Sequence, residues 1–128
     1  MDKQEILAVA LMVLATAGAI AGVFGIEHYR RSRFYTAVLT AQAPEKGNWD
    51  PRIITVPYGE EVRIMIRNAD TVSHGFALPD FEIAVEEIKA GHVVTVEFTA
   101  DKRGTFPFMC TVWCSARHVE MTGALIVE

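Results

Sequence analysis

Glu61-Val62-Arg63-Ile64-Met65-Ile66-Arg67-Asn68 alternates between two sets of side chains along its length. A strand points successive side chains to opposite faces, so Val62, Ile64 and Ile66 share one face while Arg63, Met65 and Arg67 share the other. The same step recurs from His92 to Thr99, where Val94, Val96 and Phe98 alternate with Val93, Thr95 and Glu97. Turn formers punctuate the chain around both stretches: Tyr58-Gly59, Ala90-Gly91 and Asp101 to Gly104. Working outward, Phe34 to Gln42 reads as a first strand, and Ala43 to Pro51 (APEKGNWDP) as a loop rich in turn formers. Arg52 to Pro57, Thr105 to Met109 and Ala124 to Glu128 read as further strands. Glu82 to Lys89 has helical propensity, yet its place between two turns also suits a strand. Short strands at this spacing predict an all-β domain, a β-sandwich or Greek-key barrel.

The N-terminal end is different. Ile6 to Ile26 is an unbroken run of 21 uncharged, mostly apolar residues, close to the ~20 that cross a bilayer as helix. A cleaved signal peptide is the competing reading, because Ala15-Thr16-Ala17 fits a small-x-small cleavage site. The apolar run continues nine residues past that cut and Lys3 alone supplies the positive flank, so the sequence predicts a retained single-pass anchor. Gly18 and Gly22, with Ala21 and Gly25 beside them, have the spacing that lets another helix approach closely. Arg30, Arg31 and Arg33 follow the run, and the excess of positive charge on that side pulls the remainder of the chain toward the cytoplasm.

From Glu27 onward there are 11 Lys or Arg against 14 Asp or Glu. This mildly acidic balance excludes nucleic acid as an expected partner, since phosphate binding needs a basic face. No nucleophile–base pair and no phosphate-binding glycine loop is present.

Chemistry concentrates in Cys110-Thr-Val-Trp-Cys114-Ser-Ala-Arg-His118-Val-Glu-Met121, between the last two expected strands. Thiolate and thioether are soft donors, and imidazole is their usual companion on copper. Cys114, His118 and Met121 with one upstream histidine would make a mononuclear blue-copper set. Cys110 is surplus to that set. Two thiolates four residues apart on a loop can bridge two copper ions, each of which still needs a terminal imidazole. Alternatively the two cysteines form a structural disulfide, as pairs in exported domains often do. The second imidazole is expected from an upstream loop. His74, in Thr-Val-Ser-His-Gly-Phe, is the candidate, and Gly75 lets the backbone pass close to the site. His92, at a strand start, and His28, at the membrane interface, read as solvent-facing. Met109 reads as a core residue.

The pattern C-x3-C-x3-H-x2-M with an upstream histidine resembles the CuA domain of subunit II of haem-copper oxidases, shared with nitrous oxide reductase. PYGEEVRIMIRNADTVSHGFALPDF, AGHVVTVEFTADKRGTFPFMC and MTGALIVE look like the same domain, so the likeness spans roughly residues 52–128. The resemblance implies a cupredoxin-like Greek-key β-sandwich or barrel, residues 31–128, preceded by one transmembrane helix, residues 1–30. It implies a binuclear copper centre (CuA) bridged by Cys110 and Cys114. His74 and Met121 would complete one ion, and His118 with the backbone carbonyl of Val112 the other. Many subunits II carry a glutamate at position 112 that also reaches magnesium, and valine offers no such side chain. The tryptophan-rich stretch of the long form is missing as well, and Trp113 is the expected contact for electron uptake. The implied role is a subunit of a cytochrome-c-oxidase-type oxidoreductase that moves electrons and does no bond chemistry itself. Its partners would be a cytochrome c or blue-copper donor and a haem-bearing subunit I, with the domain outside the cytoplasmic membrane. Glu82, Glu86 and Glu87 would guide a basic cytochrome or form an ordinary solvated face. Two other readings stay open: a CuA subunit of a nitric oxide reductase, and a membrane-anchored copper delivery or storage protein.

Overall fold

A computed structural model describes residues 1–128, which form two compact units, Met1–Arg33 and Phe34–Glu128. The first is a single helix, α1 (Lys3–Ser32), 30 residues long, or roughly 45 Å at 1.5 Å per residue. Its most apolar 18-residue window has a mean hydropathy of 2.5, and none of its residues is buried. The Asp2 amide is capped by the Glu5 carboxylate at 2.7 Å, and Arg31 pairs with Glu27 one turn back at 2.9 Å. Nothing lies within 4 Å of the positions that a side chain at Gly18, Gly22 or Gly25 would fill. The helix is thus apolar and long enough to cross a bilayer.

The second unit is all β. Its strands are β1 (Phe34–Ala41), β2 (Trp49–Asp50), β3 (Ile53–Val56), β4 (Glu61–Asn68), β5 (His74–Leu78), β6 (Ile83–Ile88), β7 (Val93–Thr99), β8 (Gly104–Met109) and β9 (Thr122–Val127). They form a sandwich of two sheets, ordered β2-β1-β4-β7 and β3-β9-β8-β5-β6. β1 lies parallel to β4 and β3 parallel to β9, while the other pairings are antiparallel. The alternation in residues 61–68 is realised without a slip: Val62, Ile64 and Ile66 are fully buried, and Met65 and Arg67 face solvent. Leu39 and Ala41 of β1 and Val96 of β7 join them from the same sheet. The facing sheet contributes Ile54, Val56, Phe76, Leu78, Ile88, Phe108, Leu125 and Val127. Interdigitation of two apolar faces is what joins the sheets.

Several boundaries differ from expectation. Of the two readings left open for Glu82–Lys89, the strand is realised as β6 (Ile83–Ile88), because pairing with β5 stabilises it where a short isolated helix would be marginal. The loop Ala43–Pro51 contains the two-residue strand β2, and Trp49 within it is 1% exposed. His74 is not on a loop: it is the first residue of β5, whose burial is nearly continuous. A strand buried on both faces carries no period-two signal, so the sequence did not betray it. Met109 is half-buried rather than core, and it pairs with Ala77 and Thr122 at the end of β8.

Candidate metal centre

Three chain passages converge at one end of the sandwich: the exit of β4, the start of β5, and the crossing from β8 to β9. Asn68, buried at the end of β4, shapes the first of these. Its side-chain amide donates to the carbonyls of Val72 and Ile88, each at 2.8 Å, and its Oδ1 accepts from the Asp70 amide at 2.9 Å. These bonds fold residues 68–73 into a tight turn that delivers His74, fully buried, to the start of β5.

The Cys110–Met121 crossing is held at its ends by the Cys110 amide, which donates to the Met121 carbonyl at 3.0 Å. A one-turn 3₁₀ helix, His118–Glu120, carries the imidazole back toward the cysteines. Both cysteines are buried free thiols. The ligating atoms of His74, Cys110 and Cys114 all lie within 4.8 Å of one another. Cys110 Sγ is 3.7 Å from His74 Nδ1 and 3.3 Å from the carbonyl oxygen of Val112. Cys114 Sγ is 3.6 Å from His118 Nδ1 and 3.8 Å from Met121 Sδ. All six positions singled out from the sequence therefore meet in one place, while His28 and His92 are solvent-exposed and outside it. Trp113, 73% exposed, stands beside the site with its ring centroid 6.0 Å from that of His118.

Gly75 is required by packing. A Cβ there would collide with Thr111 Oγ1 and lie 3.1 Å from Val112 Cγ2 and 3.3 Å from the Glu86 carbonyl. The open space lets the Gly75 amide donate to Cys110 Sγ at 3.4 Å. The two thiols are electrostatically unequal. Burial pushes the Cys110 thiol up, but the His74 imidazole and the Gly75 amide outweigh it, so its pKa lies below the ordinary value. Burial and the neighbouring Cys110 push Cys114 up to about 11. Proton loss from the pair is thus sequential, since two thiolates this close repel each other unless a cation lies between them.

The residues that sequence reasoning missed lie behind His74. Asp70, whose side chain is fully buried, places Oδ2 3.3 Å from His74 Nε2. The carboxylate also accepts from the Ala43 amide at 2.9 Å, the Thr71 amide at 2.7 Å and Lys46 Nζ at 2.6 Å. Burial pushes its pKa up, yet these four donors outweigh burial and hold it well below the usual carboxylate range. An aspartate four residues before a histidine on a turn carries no distinctive pattern, and Lys46 lies 24 residues away, so only the fold reveals the group.

The donor set of two thiols, two imidazoles, a thioether and a carbonyl is soft, enclosed and pre-gathered, and it fits copper. No side-chain nitrogen or oxygen around it is left buried without a partner. A hard, oxygen-seeking cation would find one oxygen among six donors.

Comparison with known proteins agrees with this chemistry. Nitrous-oxide reductase from Ralstonia nicotianae is 36% identical over 102 residues, 77% of this chain and 15% of that protein. Cytochrome c oxidase subunit 2 from Thermus thermophilus is 32% identical over 80 residues, 62% of this chain and 58% of that protein. The chain therefore spans only part of the length of the relatives it matches. Among solved structures, the periplasmic domain of subunit II of cytochrome oxidase from Bradyrhizobium japonicum superposes with a TM-score of 0.59 at 26% identity, covering 73% of this chain and 83% of that one. The model of the cupredoxin-like domain matches residues 6–127, and with sandwich, donor set and relatives in agreement, the chain belongs to the cupredoxin-like domain family.

Proposed function

We propose that this chain is the CuA-type electron-transfer subunit of a terminal haem-copper oxidase, holding two copper ions between Cys110 and Cys114. The observation that carries the reading is the second thiol. A mononuclear centre is complete with His74, Cys114, His118 and Met121, yet a second thiol, Cys110, lies in the same cluster, its Sγ 3.7 Å from His74 Nδ1 and 3.3 Å from the Val112 carbonyl oxygen. In the proposed assignment Cys110 and Cys114 would hold both ions, and His74, Met121, His118 and the Val112 carbonyl would complete the set. Copper bound there would supply one-electron oxidation and reduction.

The protein's contribution is rigidity and enclosure. His74 and Met121 are buried and His118 is half-buried, so the side chains are held by packing and do not rearrange freely between redox states. Six donors leave no open position for a substrate, in contrast to a catalytic metal site. Trp113 is the proposed contact for the donor, a cytochrome c or small copper protein, because it alone joins an exposed aromatic face to the ligand loop. A haem-bearing subunit I is the proposed acceptor. The chain would then be one subunit of an oxidoreductase of cytochrome-c-oxidase type. Residues 1–30 are proposed as its membrane anchor, and residues 31–128 as a domain on the outer side of the cytoplasmic membrane.

The test is copper stoichiometry and spectroscopy of the full chain in detergent. Two coppers per chain with a mixed-valence electron paramagnetic resonance signal and a purple colour are expected. One copper with a single intense blue band would refute the binuclear reading.

A further inference from the structure

We propose that the loop Ala43–Trp49 is the positioning clamp of this centre, reaching His74 through Asp70 and Met121 through the backbone of the ligand loop. The proposal rests on the copper reading above and concerns residues that touch no metal. The loop is closed on itself: the Ala43 carbonyl accepts from the amides of Lys46, Gly47 and Asn48 at 2.8, 3.2 and 3.1 Å, and the Gln42 amide donates to the Asn48 carbonyl at 3.2 Å. Asn48 sits in the left-handed region at φ 65°, which asparagine tolerates better than most residues.

Two lines leave this closed loop in different directions. Toward His74, the Ala43 amide holds Oδ2 of Asp70 and Lys46 Nζ holds Oδ1, and Oδ2 faces His74 Nε2. With Nε2 engaged, Nδ1 is the nitrogen turned to Cys110. Toward Met121, Asn48 Nδ2 donates to the Glu120 carbonyl at 3.0 Å and Trp49 Nε1 to the Met121 carbonyl at 3.1 Å. The Met121 carbonyl thus takes both the indole and the Cys110 amide, which fixes the backbone from which Sδ reaches Cys114. Trp49 is itself locked against Phe76 and Phe108, with ring centroids at 5.7 and 5.8 Å. One short loop therefore holds a proposed ligand from each of two distant chain passages, and a loop displacement would move both together.

Two variants separate the lines. Lys46→Met acts at a half-exposed side chain, and Asn48→Gly keeps the left-handed backbone while removing the amide that holds Glu120. Each is made in the full chain in detergent, with an unfolding curve to confirm the fold. Outer residues that orient metal ligands typically change metal affinity about 10- to 100-fold. Copper loss to a chelator should accelerate on that scale in both variants and the reduction potential should shift, with Lys46→Arg restoring the first. A second readout needs no copper: Lys46→Met should shift the ¹⁵N signals of the His74 ring, and Asn48→Gly should speed amide exchange at Cys110 and Met121. If Asn48→Gly fails to fold, Lys46→Met decides by itself. Wild-type copper release, potential, ring signals and exchange in the folded variants would overturn the clamp and leave the copper reading intact. If the wild type takes up no copper, the copper reading falls instead, and the ring and exchange measurements alone decide the clamp.

Discussion

Replacing Asp70 with asparagine tests the electrostatics behind His74, and the structure sets the size of the effect. The carboxylate accepts from four residues, Ala43 and His74 on Oδ2 and Thr71 and Lys46 on Oδ1. An amide must turn its NH₂ toward one pair. Facing Ala43 and His74, it would bury two opposed donors; facing Thr71 and Lys46, it meets an exposed residue and a half-exposed lysine that water can reach, so this orientation is preferred. The bonds to Ala43 and His74 then survive but lose their charge, about 1 kcal/mol each when a charged hydrogen bond becomes neutral. Loss of the Thr71 bond adds about 1 kcal/mol, and Lys46, 52% exposed, adds little because water screens it. The sum is about 2–4 kcal/mol, a large part of the ~5–15 kcal/mol of a typical domain. The assay is urea unfolding of the copper-free full chain in detergent at neutral pH, followed by tryptophan fluorescence. The sign with pH follows from the depressed pKa. The carboxylate's contribution is complete above its ordinary value of 3.8 and is lost as pH falls below it toward the depressed value. The gap between wild type and Asp70→Asn should therefore shrink on acidification below about pH 4. A neutral-pH loss under about 0.5 kcal/mol, or a gap that does not change with pH, would refute the account.

Cys110→Ser should reduce copper from two per chain to one, built on His74, Cys114, His118 and Met121; two coppers with an unchanged spectrum would show that Cys110 is not a ligand. Gly75→Ala should cost about 1–3 kcal/mol by overpacking and lower copper content by forcing Thr111 and Val112 away, whereas wild-type stability and loading would show that the close approach is not needed. A reporter fused after Glu128 and expressed with and without subunit I tests orientation. Activity in the exported compartment is expected. Activity only with the partner would assign orientation to assembly, and inactivity in both cases would show that Arg30, Arg31 and Arg33 prevail and the domain is cytoplasmic.

Local patterns were enough for some of this protein. The alternation of residues 61–68 specifies both strand and inward face, because side-chain direction in a strand depends only on residue parity. The run Ile6–Ile26 specifies a bilayer-length helix by length and polarity alone. Cys110, Cys114, His118 and Met121 lie within twelve residues, so their meeting on one loop was legible from spacing. Even Gly75 could be read as a point of close approach, since its neighbour His74 was already a candidate.

Other features were decided only by tertiary structure. Strand β5 is buried on both faces and shows no period, and β2 is too short to show one. β6 is a strand because β5 lies beside it, against the helical propensity of its own residues. The supports of the centre join positions far apart in the chain: Lys46 with Asp70 across 24 residues, and Asn48 and Trp49 with the ligand loop across 72. Their residue types are ordinary in turns, and a hydrogen bond across such a span leaves no local trace. The ligands were visible because their chemistry is rare and their spacing short; what holds them is made of common residues brought together by the packing of two sheets.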